Sequence, residues 1–323
     1  MSIQARQLQR RQLILSFAAF GGAMVLQGCG GGGDGGTGID DRGDLMSLAE
    51  SKPELSVFVE GVNKAGLRDR LKASGTNTAF APTNDAFNAL LAELGTSKDL
   101  LFADTSTLKS VLEYHLVGKT ILRGTLAEGE PIEAVSGGFF IVDDPDNRLQ
   151  FKDGRNRVGN VISTDSIAAN GALHTLDRVM LPANKNISQT IAATPELSVL
   201  GAALLAANLS ATLESSGPFT LFAPTNTAFA NLLVELNLTE AALLADTAQL
   251  NKILSYHVLQ SRRSMAELRR DDQRSMLQGG VVRISDDDQL TDVRGRVAKV
   301  TQPDVLNTNG IIHIIDKVLL PAA

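Results

Sequence analysis

The chain of 323 residues contains no tryptophan, only two tyrosines and a single cysteine. A lone cysteine cannot form an intramolecular disulfide, so side-chain packing alone must stabilise the fold in an oxidising compartment. Aromatic residues make up 4% of the chain, which leaves few of the stacking platforms that many sugar-binding modules use. The sequence also lacks a G-x-S-x-G elbow and a P-loop, the common carriers of nucleophilic and phosphoryl-transfer chemistry.

The chain also lacks a net basic charge. It carries 30 basic and 36 acidic residues, and three of the basic ones, Arg6, Arg10 and Arg11, precede an N-terminal apolar run. Without those three, 27 basic residues face 36 acidic ones, a net charge of −9. Bulk charge therefore disfavours nucleic acid or an anionic lipid surface as the partner.

The N-terminus has the pattern of a signal peptide. The apolar run Leu13–Leu26 has 14 residues, too few for a helix that crosses a hydrocarbon layer of about 30 Å. It ends at Leu26-Gln27-Gly28-Cys29, which resembles a bacterial lipoprotein signal. We therefore predict a signal peptide at residues 1–28 and lipidation of Cys29. Arg10-Arg11 resembles a weak twin-arginine signal, so the general and the twin-arginine export routes both stay open.

A glycine-rich tether follows the cysteine at residues 29–39. Residues 30–38 are glycine except for Asp34 and Thr37, a composition that behaves as a flexible coil. Gly30, directly after the cysteine, favours the outer membrane by resemblance to enteric lipoproteins. We expect a secreted protein that is lipid-anchored in a bacterial cell envelope, on the periplasmic or the surface face of the outer membrane.

The rest of the chain consists of two copies of one domain. Ala81-Pro82-Thr83-Asn84 returns as Ala223-Pro224-Thr225-Asn226, and Tyr114-His115 returns as Tyr256-His257 at the same offset in the numbering. Asn170-Gly171, His174 and Asp177 match Asn309-Gly310, His313 and Asp316 at an offset that is shorter by three. A period of this length is a domain, and the spacing predicts one at residues 40–183 and another at 184–323. The second copy must lack three residues between its Gly-Gly and Asn-Gly pairs, where a turn is the expected place.

Each copy has an α+β order. Short strands, 78–81 and 220–223, end at Pro82 and Pro224, since proline cannot continue a strand ladder. Thr83 or Asn84 can cap the helix that follows, and Asp104 and Asp246 can cap a later one. β-rich stretches interrupted by turn residues complete each copy. The expected structural residues of these motifs are Pro82, Thr83, Asn84, His174, Asp177, Pro224, Thr225, Asn226, His313 and Asp316.

The three motifs, taken in order, resemble the fasciclin domain family. They read Thr-x-Phe-Ala-Pro-Thr-Asn-x-Ala-Phe, then Tyr-His, then Asn-Gly-x-x-His-x-x-Asp-x-Val-x-Leu-Pro, and both copies carry them. The resemblance implies two tandem domains, each a β-sheet wedge or sandwich flanked by helices. It also implies cell adhesion or matrix contact rather than catalysis, while some relatives bind integrins, glycans or hydrophobic pigments.

The histidines have two interpretations. His115 and His257 continue apolar helical stripes, which predicts buried rings with hydrogen-bonded nitrogens. Resemblance to animal relatives instead gives the pairs Tyr114-His115 and Tyr256-His257 a part in integrin binding. His174 and Asp177 lie three residues apart on a predicted strand and so point to opposite faces, which argues against a catalytic dyad. Each copy offers two histidines and no cysteine, so no metal and no other cofactor is expected.

Asp304, in Pro303-Asp304-Val305-Leu306, and Asp165 each precede the Asn-Gly pair by five residues. They resemble an Asp-centred adhesion motif of animal family members, although an exposed Asp in a turn that enters a strand is the simpler explanation. We therefore predict a non-catalytic, envelope-anchored binding protein that contacts a cell-surface or matrix protein or polysaccharide and touches the membrane only through its lipid. The alternative is a module that holds a small apolar pigment or lipid.

Overall fold

A computed structural model describes residues 42–270 and 273–322. The predicted signal peptide, Cys29 and the glycine tether lie outside the described residues, so the anchor stays a prediction. Within the described ranges, none of the helices combines the length and the apolar character needed to cross a membrane.

The first repeat contains helices α1 to α6 and strands β1 to β7. Its helices are α1 (Leu45–Glu50), α2 (Ser56–Lys64), α3 (Arg68–Lys72), α4 (Asn84–Leu94), α5 (Lys98–Ala103) and α6 (Thr105–Tyr114). Its strands are β1 (Asn77–Pro82), β2 (Leu116–Val117), β3 (Pro131–Glu133), β4 (Phe139–Asp143), β5 (Gln150–Lys152), β6 (Val158–Ala168) and β7 (Gly171–Leu176).

The second repeat has the same order with one additional short helix, α13. Its helices are α7 (Ile187–Ala192), α8 (Ser198–Ala206), α9 (Ser210–Glu214), α10 (Asn226–Leu236), α11 (Glu240–Ala245), α12 (Thr247–Ser255) and α13 (Met265–Arg269). Its strands are β8 (Phe219–Pro224), β9 (Val258–Leu259), β10 (Gln273–Ser275), β11 (Val281–Ile284), β12 (Gln289–Thr291), β13 (Val297–Asn307) and β14 (Gly310–Ile315).

Each repeat forms one seven-stranded sheet, in the order β2-β1-β7-β6-β5-β4-β3 and, in the second, β9-β8-β14-β13-β12-β11-β10. The first strand lies parallel to the last, β1 beside β7 and β8 beside β14, and the other pairs are antiparallel. The long strands β6 and β13 carry register shifts, and they pair with one neighbour at their start and with another at their end. Such irregularities bend a strand, so the sheet becomes a wedge.

The parallel strand pair separates two apolar cores in each repeat. Successive side chains of a strand point to opposite faces. Ala79 and Ala81 therefore join the core beneath the helices, whereas Phe80 between them packs inside the wedge. The mixed α+β wedge flanked by helices is confirmed.

The structure assigns the helix cap that the sequence left open. Thr83 Oγ1 accepts a hydrogen bond from Ala86 N at 3.2 Å and caps α4, while Asn84 Oδ1 accepts one from Val57 N at 2.9 Å. Asn84 therefore fastens α4 to the start of α2. Asp104 caps α6 by accepting a hydrogen bond from Thr107 N at 3.1 Å, as the sequence predicts.

The three extra residues of the first repeat lie in one turn. They fall between the starts of β4 and β5, because Phe139 and Gln150 are 11 positions apart, whereas Val281 and Gln289, which begin the equivalent strands β11 and β12, are 8 positions apart. The spacing before and after this hairpin is the same in both repeats. A 3-10 turn at Pro145–Asn147 occupies the longer connection, which confirms that a turn holds the difference.

The two repeats dock against each other. The side chain of Asn156, in the β5–β6 turn, accepts a hydrogen bond from Leu306 N at 2.6 Å and donates one to Leu306 O at 3.2 Å. Lys152 Nζ donates to the carbonyl oxygens of Pro303 and Asp304 at 3.4 and 3.3 Å. These bonds fasten β13 of the second domain to β5 and the β5–β6 turn of the first.

A small apolar cluster lies under these hydrogen bonds. Phe139 and Ile141 of β4 pack against Leu306 and Ile311, and each of the four is at most 4% exposed. Burial of such side chains stabilises a contact by roughly 1.5 to 3 kcal/mol each. Glu130 also forms an ion pair with Arg270 across the same interface. The described domains therefore form one docked unit.

The repeat itself supplies a test of this docking. Gly295 occupies the position of Asn156 in the second copy, and Asn156 has a positive φ of 62°, which glycine adopts freely. We expect Asn156→Gly to keep the turn and to weaken docking by about 1 to 3 kcal/mol, because both groups of Leu306 lose their partner.

Amide hydrogen exchange at Leu306 and calorimetric unfolding measure the effect. The Leu306 amide should exchange faster, and a single unfolding transition should broaden or split in two. Asn88→Ala, at an exposed position of α4, is the control and should leave both unchanged. Unaltered exchange at Leu306 in Asn156→Gly would contradict the interface.

Candidate functional site

The Asn-Gly pair sits where the helices meet the parallel strands. Asn170 is buried; its Oδ1 accepts a hydrogen bond from Leu45 N, and its Nδ2 donates to the carbonyl oxygens of Leu71 and Ala73. Gly171 follows because a Cβ there would lie 2.0 Å from the carbonyl oxygen of Asn77 on β1. Asn309 makes the same three bonds in the second domain. This motif is therefore a structural corner.

His115 and His257 lie in the core at the ends of α6 and α12. His115 Nε2 accepts a hydrogen bond from Met180 N at 2.9 Å, so its proton is on Nδ1, which donates to the carbonyl oxygen of Val111 at 2.7 Å. His257 repeats this with Leu319 N and the carbonyl oxygen of Ile253. Each ring therefore ties the end of its helix to the last segment of its domain.

His174 and His313 are buried on the central strands and use the opposite tautomer. His174 Nδ1 accepts a hydrogen bond from Asp165 N at 3.4 Å, and its Nε2 donates to the carbonyl oxygen of Ile121 at 2.8 Å. His313 does the same with Asp304 N and the carbonyl oxygen of Arg263. All four histidines therefore have main-chain partners on both ring nitrogens.

The tyrosines of the Tyr-His pairs are equally enclosed. Tyr114 is fully buried, and its hydroxyl donates to the carbonyl oxygen of Phe139 at 2.5 Å. Tyr256 donates to the carbonyl oxygen of Val281 and accepts a hydrogen bond from Val293 N. Burial raises the pKa of both phenols, so they stay neutral hydrogen-bond donors. A role of these pairs in binding would have to act through the surface above them.

Asp165 and Asp304 lie inside the long strands β6 and β13, where the sequence suggested a turn that enters a strand. Both residues have positive φ angles, 57° and 58°, at the irregular register of these strands. Asp165 Oδ1 accepts a hydrogen bond from Arg123 N, and Asp304 Oδ1 accepts one from Met265 N, each at 2.9 Å. The exposed fraction of the side chain is 37% for Asp165 and 13% for Asp304. Asp304 is thus mostly covered.

Asp177 lies just beyond β7 and faces away from His174. Its carboxylate accepts hydrogen bonds from Asn160 N and Asn160 Nδ2 at 2.7 and 2.6 Å, and Asp316 accepts one from Lys299 N at 2.7 Å. The structure therefore does not bring the histidine and the aspartate of this motif together. Among the described residues, no group of three or more His, Cys, Asp or Glu side chains converges as metal ligands would.

Sequence reasoning missed a polar cleft between the domains. We call it the interdomain cleft. It has a volume of about 530 Å³, and its lining includes Gly137, Ser216, Ser261, Arg262, Arg263 and Thr308. The guanidinium of Arg262 lies 4.0 Å from the ring centre of Phe139, across the domain boundary. One signal was available in the sequence, because the first repeat has Thr120 and Ile121 where the second has Arg262 and Arg263.

The buried histidines predict an acid-sensitive fold. Burial lowers the pKa of His115 and that of His257 to about 4, although the bond to the helix carbonyl raises it in part. The unfolded histidine titrates near 6.5. Between pH 6.5 and 4 the histidine is protonated in the unfolded chain but stays neutral in the folded chain. The free energy of unfolding therefore falls over this range, by roughly 3 kcal/mol per histidine.

Chemical denaturation at pH 7, 6 and 5 measures this loss. His115→Gln should lower stability at pH 7 and should also reduce the pH slope between 6 and 5, by up to about 1.4 kcal/mol per pH unit. The comparison of slopes removes the general cost of the substitution. A folded-state imidazole of His115 that titrates near 6.5 by NMR would contradict the assignment.

Comparison with known proteins agrees with this architecture. A family model described as the fasciclin domain matches residues 53–182 and 195–321. The chain is 30% identical over 258 residues to transforming growth factor-beta-induced protein ig-h3 of Oryctolagus cuniculus, and 39% identical over 135 residues to Synechocystis protein sll1735. These alignments cover 79% and 42% of this chain, and 36% and 97% of the two relatives.

A solved structure is similar as well. The FAS1 domain pair from the insect cell adhesion molecule Fasciclin I shares 18% sequence identity at a TM-score of 0.42, over 83% of this chain and 97% of its own. The chain thus spans about a third of the length of the animal relative ig-h3 that it matches. From the matched residues and the motifs that build both cores, the chain belongs to the fasciclin domain family and contains two tandem fasciclin domains.

Proposed function

We propose that this protein is a non-catalytic adhesion or binding protein of a bacterial envelope, which contacts a cell-surface or matrix component through its two fasciclin domains. The chain belongs to the fasciclin domain family, and its resemblance to that family implies adhesion, which supports this function. Fold similarity alone is a weak guide to function, so the chemistry of this chain has to carry the argument.

The observation that carries the proposal is that the side chains of the shared motifs form their hydrogen bonds inside the domains. The histidines, the tyrosines and the asparagine of each Asn-Gly pair are hydrogen-bonded to main-chain atoms in the core. These residues build the scaffold, so a partner would be recognised on the outer surface. A Tyr-His pair can influence such a surface only by positioning the strands and loops above it.

Docking of the domains gives this surface a fixed geometry. Two binding sites on one body raise apparent affinity most when their separation matches that of the partner's sites. The Asn156–Leu306 hydrogen bonds and the apolar cluster beneath them restrict that separation. A partner with repeated units, such as a polysaccharide or a fibrous matrix protein, suits this arrangement.

The alternative function, a module that holds an apolar pigment or lipid, gains no support from the interdomain cleft or from a small cavity in the first domain. An apolar cavity beside Leu45, Leu71 and Leu116 has a volume of about 10 Å³. Sites for small molecules usually have roughly 300 to 1,000 Å³. The interdomain cleft has that size, but arginine and hydroxyl side chains line it.

The anchor proposal predicts the effect of Cys29→Ser. The thiol that would accept the diacylglycerol is lost, and the chain has no other cysteine. We expect metabolic labelling with a palmitate analogue to disappear and the protein to leave the membrane fraction. Ser51→Ala is a control that should keep both label and fractionation. Label retained in Cys29→Ser would refute the anchor.

The binding proposal predicts that the mature protein is retained on envelope material of the producing cell. Asn156→Gly should bind several-fold to about tenfold more weakly, mainly through faster dissociation, because the two sites lose their fixed separation. Surface binding at two salt concentrations measures this. Equal affinity of the two proteins would mean that a single domain makes the contact.

Failure of the wild-type protein to bind any envelope polysaccharide, matrix protein or lipid extract would contradict the function itself. An apolar compound that co-purifies with the protein would instead favour the ligand-carrier alternative.

A further inference from the structure

Arg262 has no carboxylate or hydrogen-bonding partner among the residues that the structure describes. Its guanidinium stacks on Phe139 at 4.0 Å, and it makes no hydrogen bond or ion pair with residues 42–270 or 273–322. The side chain is half-buried, and burial lowers its pKa while Glu133 and Glu267 raise it. A guanidinium stays charged and presents five N–H donors, so a partly desolvated one favours an oxygen acceptor.

The acidic groups near the cleft leave this charge accessible. Arg263 is paired with Glu267, whose Oε1 lies 3.3 Å from Arg263 Nη1. Glu133 acts on Arg262 electrostatically without a hydrogen bond between them, and its side chain is exposed. Arg262 is therefore the cation that a ligand in the cleft can bind directly, in competition with Glu133.

The main chain under the arginines is held rigidly. Thr220 Oγ1 donates to the carbonyl oxygen of Ser261 at 2.7 Å and accepts a hydrogen bond from Arg263 N at 2.9 Å, and His313 binds the carbonyl oxygen of Arg263. A fixed main chain reduces the entropy lost when a ligand binds. The stack on Phe139 restricts the side chain of Arg262 further.

The first repeat shows that the fold does not require these arginines. Thr78 Oγ1 donates to the carbonyl oxygen of Lys119 and accepts from Ile121 N, at 2.7 and 2.8 Å, just as Thr220 does. The same loop therefore forms with Thr120 in place of Arg262. The loop itself therefore does not need the arginine, whose contact with Phe139 reaches across the domain boundary instead.

The rest of the cleft offers hydroxyl groups. The side chains of Ser216, Ser261 and Thr308 line it and have no hydrogen-bond partner among the described residues. Hydroxyls both donate and accept, and they match the hydroxyls of a sugar ring. Aromatic stacking platforms are scarce in this chain, so a sugar here would be held by polar contacts at its edges.

We propose that the interdomain cleft binds a saccharide that carries a carboxylate, with the carboxylate on Arg262 and sugar hydroxyls on Ser216, Ser261 and Thr308. The planar guanidinium matches the two oxygens of a carboxylate in a bidentate pair. One cation that lacks a directly bound carboxylate suits a singly charged group better than a phosphate, which carries close to two negative charges. This inference rests on the proposed binding function and names the class of its partner.

The test uses mature protein made soluble by Cys29→Ser, with tetragalacturonic acid as the probe and neutral maltotetraose as its matched control. We expect calorimetry to detect tetragalacturonate and maltotetraose to bind at least about tenfold more weakly. Arg262→Thr, the residue of the first repeat, should reduce affinity for tetragalacturonate by roughly tenfold to a hundredfold. Arg262→Lys keeps the positive charge but lacks the planar guanidinium with its paired donors, so it should retain part of the affinity for tetragalacturonate.

Two further variants separate local from general charge effects. Arg148→Thr removes an exposed arginine from the β4–β5 turn and should change affinity less than about twofold. Glu133→Gln removes the competing carboxylate and should tighten binding. In protein with the unaltered cleft, the amide NMR signals of Ser261 and Thr308 should shift as tetragalacturonate is added. These shifts locate the ligand without the need for a substitution in the cleft.

Three results would overturn the proposal: no binding of tetragalacturonate, equal binding of maltotetraose, or an Arg262→Thr protein within about twofold of the unaltered one. Retention on envelope material is measured in parallel. If envelope binding persists while tetragalacturonate does not bind, the saccharide assignment fails and the proposed function stands. If both are lost in folded protein, the function fails as well.

Discussion

The parallel strand pair at the centre of each domain imposes the condition that the rest of the structure meets. Strands β1 and β7, like β8 and β14, are covered on both faces, by helices on one side and by the wedge on the other. Polar groups at the ends of such strands have no water to bind, and leaving one unpaired costs about 1 to 3 kcal/mol. The side chains of the family motifs provide the missing partners.

This condition explains why polar residues recur in an otherwise apolar core. Asn170 joins α1 and α3 to the start of β7, and His115 joins the end of α6 to the segment after β7. Asp153 is fully buried, paired with Arg157 at 2.7 Å and bonded to Leu181 N at 3.0 Å. Its counterpart Asp292 binds Leu320 N in the second domain. Each of these side chains supplies a hydrogen-bond partner to main-chain groups that would otherwise lack one. The shared motifs are therefore structural.

Duplication followed by docking makes the two copies unequal. The turn that carries Asn156 in the first domain reaches β13 of the second, while the equivalent turn carries Gly295. The loop with Arg262 faces the first domain, and the equivalent loop has Thr120. A fixed interface places Gly137 of the first copy beside the residues of the second copy that line most of the interdomain cleft. In this protein the asymmetric features therefore carry more functional information than the shared motifs.

The sequence by itself determined the domain architecture and much of the local structure. The two offsets between matched motifs identify the duplication and confine the length difference to the segment between the Gly-Gly and Asn-Gly pairs. Capping residues such as Asp104 and Asp246 start their helices where expected. Local rules suffice here because the interacting groups lie within a few residues of each other.

Only the tertiary structure decided which atoms satisfy each histidine, how the domains dock and where the interdomain cleft opens. Met180 lies 65 residues from His115, and Leu306 lies 150 residues from Asn156. Contacts over such distances depend on the packing of whole sheets and on the fit of two domain surfaces. Periodicity, capping and motif spacing describe neighbours along the chain and carry no information about that fit.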